Sequence, residues 1–512
     1  MVRHQARGRT RSRRAPAPLP DASKPVEYAA FSRYVRRFKT RKFLRLVAKH
    51  QTLHWNQDRP LDSLLLKPHA GSLIAFEAMA SWGAQGQVSP TLDDLRRLDA
   101  LVIALDDPIL TSPVLGASDD LMVRMSFQQF PYQHPPFNDT ARLRPMFERE
   151  YPADKFQVVN KTLIDELLGT DVATYTDLAP FFLAAFMSNE GMFHPSWFEQ
   201  ENFAALNEIL PPEHALRVFD RMSEDPDYFR RAARDNRAQE SNRRQYDFNP
   251  FAAKPFVNLP EGFGLAPQPA FVTGRFSPST IFYAGSAHFA QDLESKRLFF
   301  TELGDINEDY VRLQLAQLQD VGARLDGPSE YAPGKESVDA SIVMGSDLLL
   351  IEVKSTRPVF AARGNADDYR KHLDRDIKRG FEQLEISWRL YKDGMLGHLP
   401  PDLTVHGFVV TPEPFYLANW TSIHQSLPSP SMPVAILSFT ELEELVSGAL
   451  HDRALTGFVH AATNPANGAM DADPMAAIEG IKRRNNGVSP RNPLLDLSFD
   501  TDRWSQIHER DG

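Results

Sequence analysis

The chain has 512 residues, 42% of them hydrophobic and 24% charged, with a net charge of -10 and no cysteine. That length implies two or more domains, and the absence of cysteine excludes disulfides, thiol nucleophiles and thiolate zinc sites. No run of about 18 apolar residues and no secretory apolar stretch occurs, so the expectation is a cytoplasmic protein that does not enter a membrane.

Residues 1–25 lack a hydrophobic period and contain several prolines, so they read as a disordered basic arm. The first 50 residues hold 15 Lys and Arg against Asp21 and Glu27. A basic arm on an acidic body suits contact with an anionic polymer; a solvated tail or an Arg-rich targeting segment are the competing readings. From Val26 to residue 244 the pattern is mostly helical. Helical stretches are expected near 26–47, 70–83, 92–105, 160–168, 176–188 and 213–234, with a proline-rich break from Pro131 to Pro136 and another at Pro211-Pro212. This half discloses no chemistry. Residues 245–284, rich in Phe, Pro and Gly, suggest a β-rich bridge. Helices resume at 285–320, and residues 461–512 read as an irregular tail after a domain spanning 285–460.

The informative segment is SVDASIVMGSDLLLIEVKSTRP, Ser337 to Pro358. Two apolar, β-prone runs flank Gly345-Ser346, a pair suited to a type II′ turn whose first residue needs positive φ. A two-residue loop pairs Met344 with Asp347 and, counting back, sets Asp339 opposite Glu352. Glu352 and Lys354 are two apart and share a strand face. Facing carboxylates repel unless a cation lies between them, and Mg²⁺ favours such an all-oxygen setting, with Mn²⁺ an alternative. A cation there can activate water and neutralise charge on a phosphodiester, while Lys354 orients water or stabilises charge.

Asp339, the hairpin and then Glu352-Val353-Lys354 resemble the PD-(D/E)XK nuclease superfamily, over about 285–447. The first-position proline of that motif is Val338 here. The resemblance implies an α/β restriction-endonuclease-like core, a mixed sheet flanked by helices, following the mostly helical N-terminal domain. It also implies metal binding by Asp339, Glu352 and the Val353 carbonyl, catalysis by Asp339, Glu352 and Lys354, and endonucleolytic hydrolysis of nucleic acid, DNA favoured. Glu308 is the best match to a metal-shell glutamate on the first core helix, with Glu302 a weaker substitute. Asp305 and Glu308 also have helix-capping spacing, which leaves a structural reading open.

A long helix is expected from Tyr369 to Tyr391, with Tyr369, Leu373, Ile377, Leu384 and Trp388 as its buried stripe. Lys371, Arg375 and Arg379 line another face that nearby acids make a solvated one, and Gln383 continues the row. Some superfamily relatives carry a tyrosine four residues after such a Gln; here it is Ser387. Residues 404–410 and 434–439 are short β-type runs, and a capping box opens a final helix. Zinc-protease, P-loop and nucleophile-elbow motifs are missing from the sequence. His134, His194 and His288 sit singly, and Tyr416, Trp420 and His424 suit a pocket or plain packing. The competing function is a non-catalytic nucleic-acid or protein binding module on the same fold. The N-terminal half would choose substrate, meet a partner protein or join two copies. A defence or DNA-processing role fits this plan.

Overall fold

The structure is a computed structural model that describes residues 20–55, 66–83, 86–107, 117–129, 136–239, 241–358, 366–424, 427–464 and 470–495. Most of the basic arm, residues 131–135 of the proline-rich break, and 496–512 of the tail lie outside the described residues. The chain joins a helical N-terminal half to an α/β C-terminal half. No described helix is long and apolar enough to cross a membrane.

The N-terminal half runs through helices that include Tyr28–Arg36, Thr40–Trp55, Pro68–Ala80, Leu92–Ile103, Pro136–Phe147, Lys161–Leu168 and Val172–Ser188. The stretch expected as one helix near 213–234 is two, Pro212–Met222 and Pro226–Asp235. Between them Ser223 and Glu224 are extended and pair with Phe256 and Val257. The second helix starts afresh because Pro226 takes its first position and Asp225 caps Tyr228 N at 2.7 Å. The β-rich expectation for 245–284 needs correction. Phe256–Asn258 and Gly264–Leu265 are strands, but Pro269–Gly274 and Pro278–His288 are helices. Pro269 and Pro278 are first-turn prolines, which open helices as readily as they mark turns.

The C-terminal half begins with α1 (Leu293–Ala316), capped by Asp292, which accepts from Ser295 N at 3.1 Å. Asp305 and Glu308 therefore stand in mid-helix, and the capping reading of that pair is wrong. Strands β1 (Arg324–Asp326), β2 (Ala340–Met344), β3 (Asp347–Val353), β4 (Thr404–Thr411) and β5 (Val434–Ser438) form one sheet in the order β5-β4-β3-β2-β1. β3, β4 and β5 are parallel, and the β2–β3 and β1–β2 pairs are antiparallel. The single expected helix from Tyr369 to Tyr391 is α2 (Ala366–Asp376) and α3 (Lys378–Lys392), broken only at Ile377, so its apolar stripe stays buried.

Every residue of β3 is buried, as a strand covered on both faces requires. Leu349, Ile351, Val353, Phe408, Val410 and Leu437 share a core with α1 and with α4 (Phe439–Asp452), α5 (Leu455–Thr463) and α6 (Pro474–Arg484). Leu348, Leu350, Val405, Val409 and Ile436 face the apolar stripe of α2 and α3. Helix α6 lies where an irregular tail was expected. Asp473 caps it, Pro474 opens it, and Ala477, Ile478 and Ile481 bury its inner face. The core of the first sheet face also takes in Leu143, Phe147, Phe182 and Phe219 from the N-terminal half.

Candidate functional site

The hairpin follows the expected register. Met344 pairs with Asp347, and the ladder runs back to Ala340 opposite Ile351. Gly345 turns the chain at φ +60°, while Ser346 keeps an ordinary φ. The ladder stops one residue short of Asp339. There the carboxylate replaces the next backbone bond, with Asp339 Oδ2 accepting from Val353 N at 2.7 Å. Lys354 N donates the other way, to Val410 O at 2.8 Å. A strand residue sends its N–H and C=O to one side, so the Val353 carbonyl, the expected metal ligand, leaves toward Asp339.

Glu352 is 1% exposed. One carboxylate oxygen, Oε1, holds the Lys354 ammonium, whereas Oε2 has no hydrogen-bond partner among the described residues. Lys354 Nζ also donates to Gln383 Oε1 at 2.6 Å, which ties the strand to α3. Burial, reinforced by the charge on Asp339, pushes the Glu352 carboxyl up to about 8. Burial raises Asp339 as well, against the opposing pull of the Val353 N–H. Glu308 reaches the same field from α1: burial and then the Asp339 charge push it up to about 7. Its salt bridge to Arg312, 3.5 Å long, is weak. The structure thus brings Asp339, Glu352, Lys354 and Glu308 into one electrostatic neighbourhood.

Burial and mutual repulsion make such a group receptive to a cation, but among the described residues its three carboxylates do not form a set with ligand atoms all within 4.8 Å of one another, so they must draw together to share one ion. Burial disfavours the charged form of all three carboxyls, one of which has a bare buried oxygen, and a cation would offset both. Candidate ligands are Asp339, Glu352 and the Val353 carbonyl, with Glu308 completing the set.

Other expected residues fall elsewhere. Glu302 is a clamp, accepting from Gln157 N at 2.8 Å and Val159 N at 2.6 Å. Lys371 and Arg375 are paired with Asp368 and Asp376, as a solvated face would be. His194 Nδ1 caps a turn at Ser196 N, 3.2 Å, and His288 approaches Glu166 at 3.6 Å. His134 is outside the described residues. His424 pairs with Asp471 at 3.1 Å, and the Tyr416 carbonyl accepts from Tyr369 OH at 2.6 Å, so both serve packing. Two residues carried more than their sequence context suggested. Gln383 holds Lys354, and Ser387 Oγ accepts from Val338 N at 3.0 Å, fixing the segment that delivers Asp339.

A cleft of about 260 Å³ opens directly beyond Lys354, lined by Ser355, Thr356, Arg357, His372 and Arg375 with Phe282 and Phe300. Compared with known proteins, the chain matches no family model, no curated sequence and no solved structure.

Proposed function

We propose that this chain is a divalent-metal-dependent endonuclease that hydrolyses phosphodiester bonds of nucleic acid, with DNA the favoured substrate. The observation that carries the reading is buried Glu352, its Oε2 left bare, beside Lys354 and in the field of half-buried Asp339 and Glu308. The order of α1, β1, a small hairpin at 330–336, the β2–β3 hairpin, α2–α3, β4 and β5 is compatible with a restriction-endonuclease-like core, a fold analogy that adds support only. The cleft that begins at Ser355, next to Lys354, is walled mainly by apolar side chains, and its Arg357 and Arg375 are paired with Glu413 and Asp376, so a phosphate there would have to compete with those carboxylates.

Mg²⁺ or Mn²⁺, when bound at Asp339, Glu352, the Val353 carbonyl and Glu308, supplies positive charge and acidifies water. Lys354, held between Glu352 and Gln383, keeps its ammonium aimed at the site and donates hydrogen bonds to water or to a phosphoryl oxygen. Glu352 holds that ammonium through Oε1, while Asp339 is held by the Val353 N–H. Gln383 fixes the direction of the Lys354 side chain. The helical N-terminal half and the basic arm are assigned to substrate choice or to a partner.

The test incubates full-length protein with supercoiled plasmid, single-stranded DNA and RNA, each with Mg²⁺, Mn²⁺ or EDTA. DNA cleavage should appear with metal, vanish with EDTA, and fall about a hundredfold or more in Asp339→Asn and Lys354→Ala. Cleavage that survives both substitutions belongs to a contaminant. Binding without cleavage in any metal would replace the enzyme with a binding module.

A further inference from the structure

The opposite end of β3 holds a second unsatisfied group. Asp347, 3% exposed, opens the strand, and its Oδ1 lies 3.2 Å from His460 Nε2 on α5 and 3.9 Å from His406 Nε2 on β4. One ligand atom from each residue lies within 4.8 Å of the others. The two imidazoles meet edge to face, centroids 4.4 Å apart.

The hydrogen bonds decide what His406 presents. Its Nδ1 is 2.9 Å from Thr463 Oγ1, and the only hydroxyl hydrogen of Thr463 already goes to Val459 O at 2.9 Å. Nδ1 must therefore carry the ring hydrogen and donate it to Thr463. In the neutral ring Nε2 is then a bare lone pair. His406 is 1% exposed, and its Nε2 has no hydrogen-bond partner among the described residues. A lone pair aimed at a carboxylate oxygen in a buried place is unfavourable unless a cation lies between them. Holding the far ring nitrogen by a protein acceptor is also how metal-ligating histidines are oriented.

We propose that Asp347, His406 and His460 form a site for a borderline divalent cation of the zinc class, separate from the carboxylate centre. Two imidazole nitrogens and one carboxylate oxygen suit zinc and disfavour magnesium, which wants oxygen alone. Tetrahedral zinc at ordinary bond lengths sets ligand atoms about 3.3 Å apart; Asp347 Oδ1 is 3.2 Å from His460 Nε2 and 3.9 Å from His406 Nε2, so the ion would draw His406 inward. His460 is the partly exposed member, its side chain 44% accessible, so it gives the ion an entry path and leaves room for water as fourth ligand. The hydrogen that His460 Nε2 gives to Asp347 moves to Nδ1 through solvent, a tautomer exchange with no net proton. The bound ion ties α5 to the β3 and β4 edges, a structural role. Five residues along β3 separate Asp347 from Glu352, about 17 Å, and the two point to opposite faces. The proposal does not rest on the nuclease reading.

The experiment strips full-length protein with a chelator and titrates Zn²⁺ against a chromophoric competitor, with Co²⁺ spectra reporting nitrogen ligation. Wild type and Glu352→Gln should each bind a tight Zn²⁺ and gain several degrees in Tm. His460→Gln should lose about a hundredfold or more in affinity and the Tm gain. His406→Asn, checked for folding by circular dichroism, should behave alike. Equal Zn²⁺ affinity in wild type and His460→Gln overturns the site. So does the absence of tight binding to stripped wild type, or binding lost in Glu352→Gln alone.

Discussion

Lys354 divides its ammonium between Glu352 and Gln383, so one residue serves both the acid trio and the helix that backs it. The acids pay for their company. Glu352 is raised to about 8 and Glu308 to about 7, from 4.5. In the folded chain these groups keep protons that the unfolded chain releases above about 4.5. Their contribution to stability is thus complete below the unfolded value and is lost as pH rises through 7 to 8. Asp309 and Asp376 shift downward and act in the opposite sense, losing their contribution as pH falls. The informative quantity is therefore the difference between wild type and Glu352→Gln. In EDTA, wild type should lose Tm relative to the variant between pH 5 and 8, and millimolar Mg²⁺ should abolish that loss in wild type only. Parallel curves in EDTA would show that Glu352 titrates normally and that its burial beside Asp339 and Glu308 raises nothing.

At the scale of elements, the hairpin depends on Gly345. Its φ is +60°, and a Cβ placed there would meet no atom within 4 Å. Gly345→Ala therefore tests backbone conformation without steric clash. It should cost about 1–2 kcal/mol in urea unfolding, since an L side chain strains that region. No change in midpoint would mean the turn adopts another geometry and the register is not pinned there. This hairpin was legible in the sequence because a two-residue turn dictates every pair that follows. Four of the five strands were legible too, since continuous apolar runs mark strands covered on both faces, whereas β1 is a short polar edge strand with no such run. Glu308 was ambiguous because Asp305 and Glu308 imitate a cap, and only the true cap at Asp292 places them in mid-helix. The helices at Pro269 and Pro278 were hidden because a first-turn proline looks like a break. Gln383 and Ser387 were discounted for lacking a tyrosine. What matters is the turn of α3 between them, which carries one side chain to Lys354 and the other to Val338. Asp347, His406 and His460 share no spacing at all; parallel crossovers bring them together.

Across the whole molecule, the helical half and the α/β half are joined by buried charge. Arg142, on the helix Pro136–Phe147, forks onto Glu443 of α4, Nε to Oε1 at 2.6 Å and Nη2 to Oε2 at 2.8 Å. Tyr310 of α1 donates to the same carboxylate, and Arg142 Nη1 reaches Asp139 at 2.6 Å. Both members of the central pair are almost fully buried, 3% and 1% exposed. Replacing Arg142 with Leu strands a carboxylate in the core, which typically costs about 3–5 kcal/mol, whereas an apolar replacement of both partners recovers much of that loss. Around this pair one apolar core runs from Leu143 and Phe182 to Ile351 and Leu445. A chain limited to 290–495, which keeps α1 to α6 whole, exposes that face of α1 and α4 and leaves Glu443 without its guanidinium. Such a fragment should fail to give a cooperative thermal transition or dispersed amide resonances, while the full chain gives both. A folded, cooperative 290–495 would mean that the helical half is an accessory, and the nuclease-like part would then be a domain in its own right.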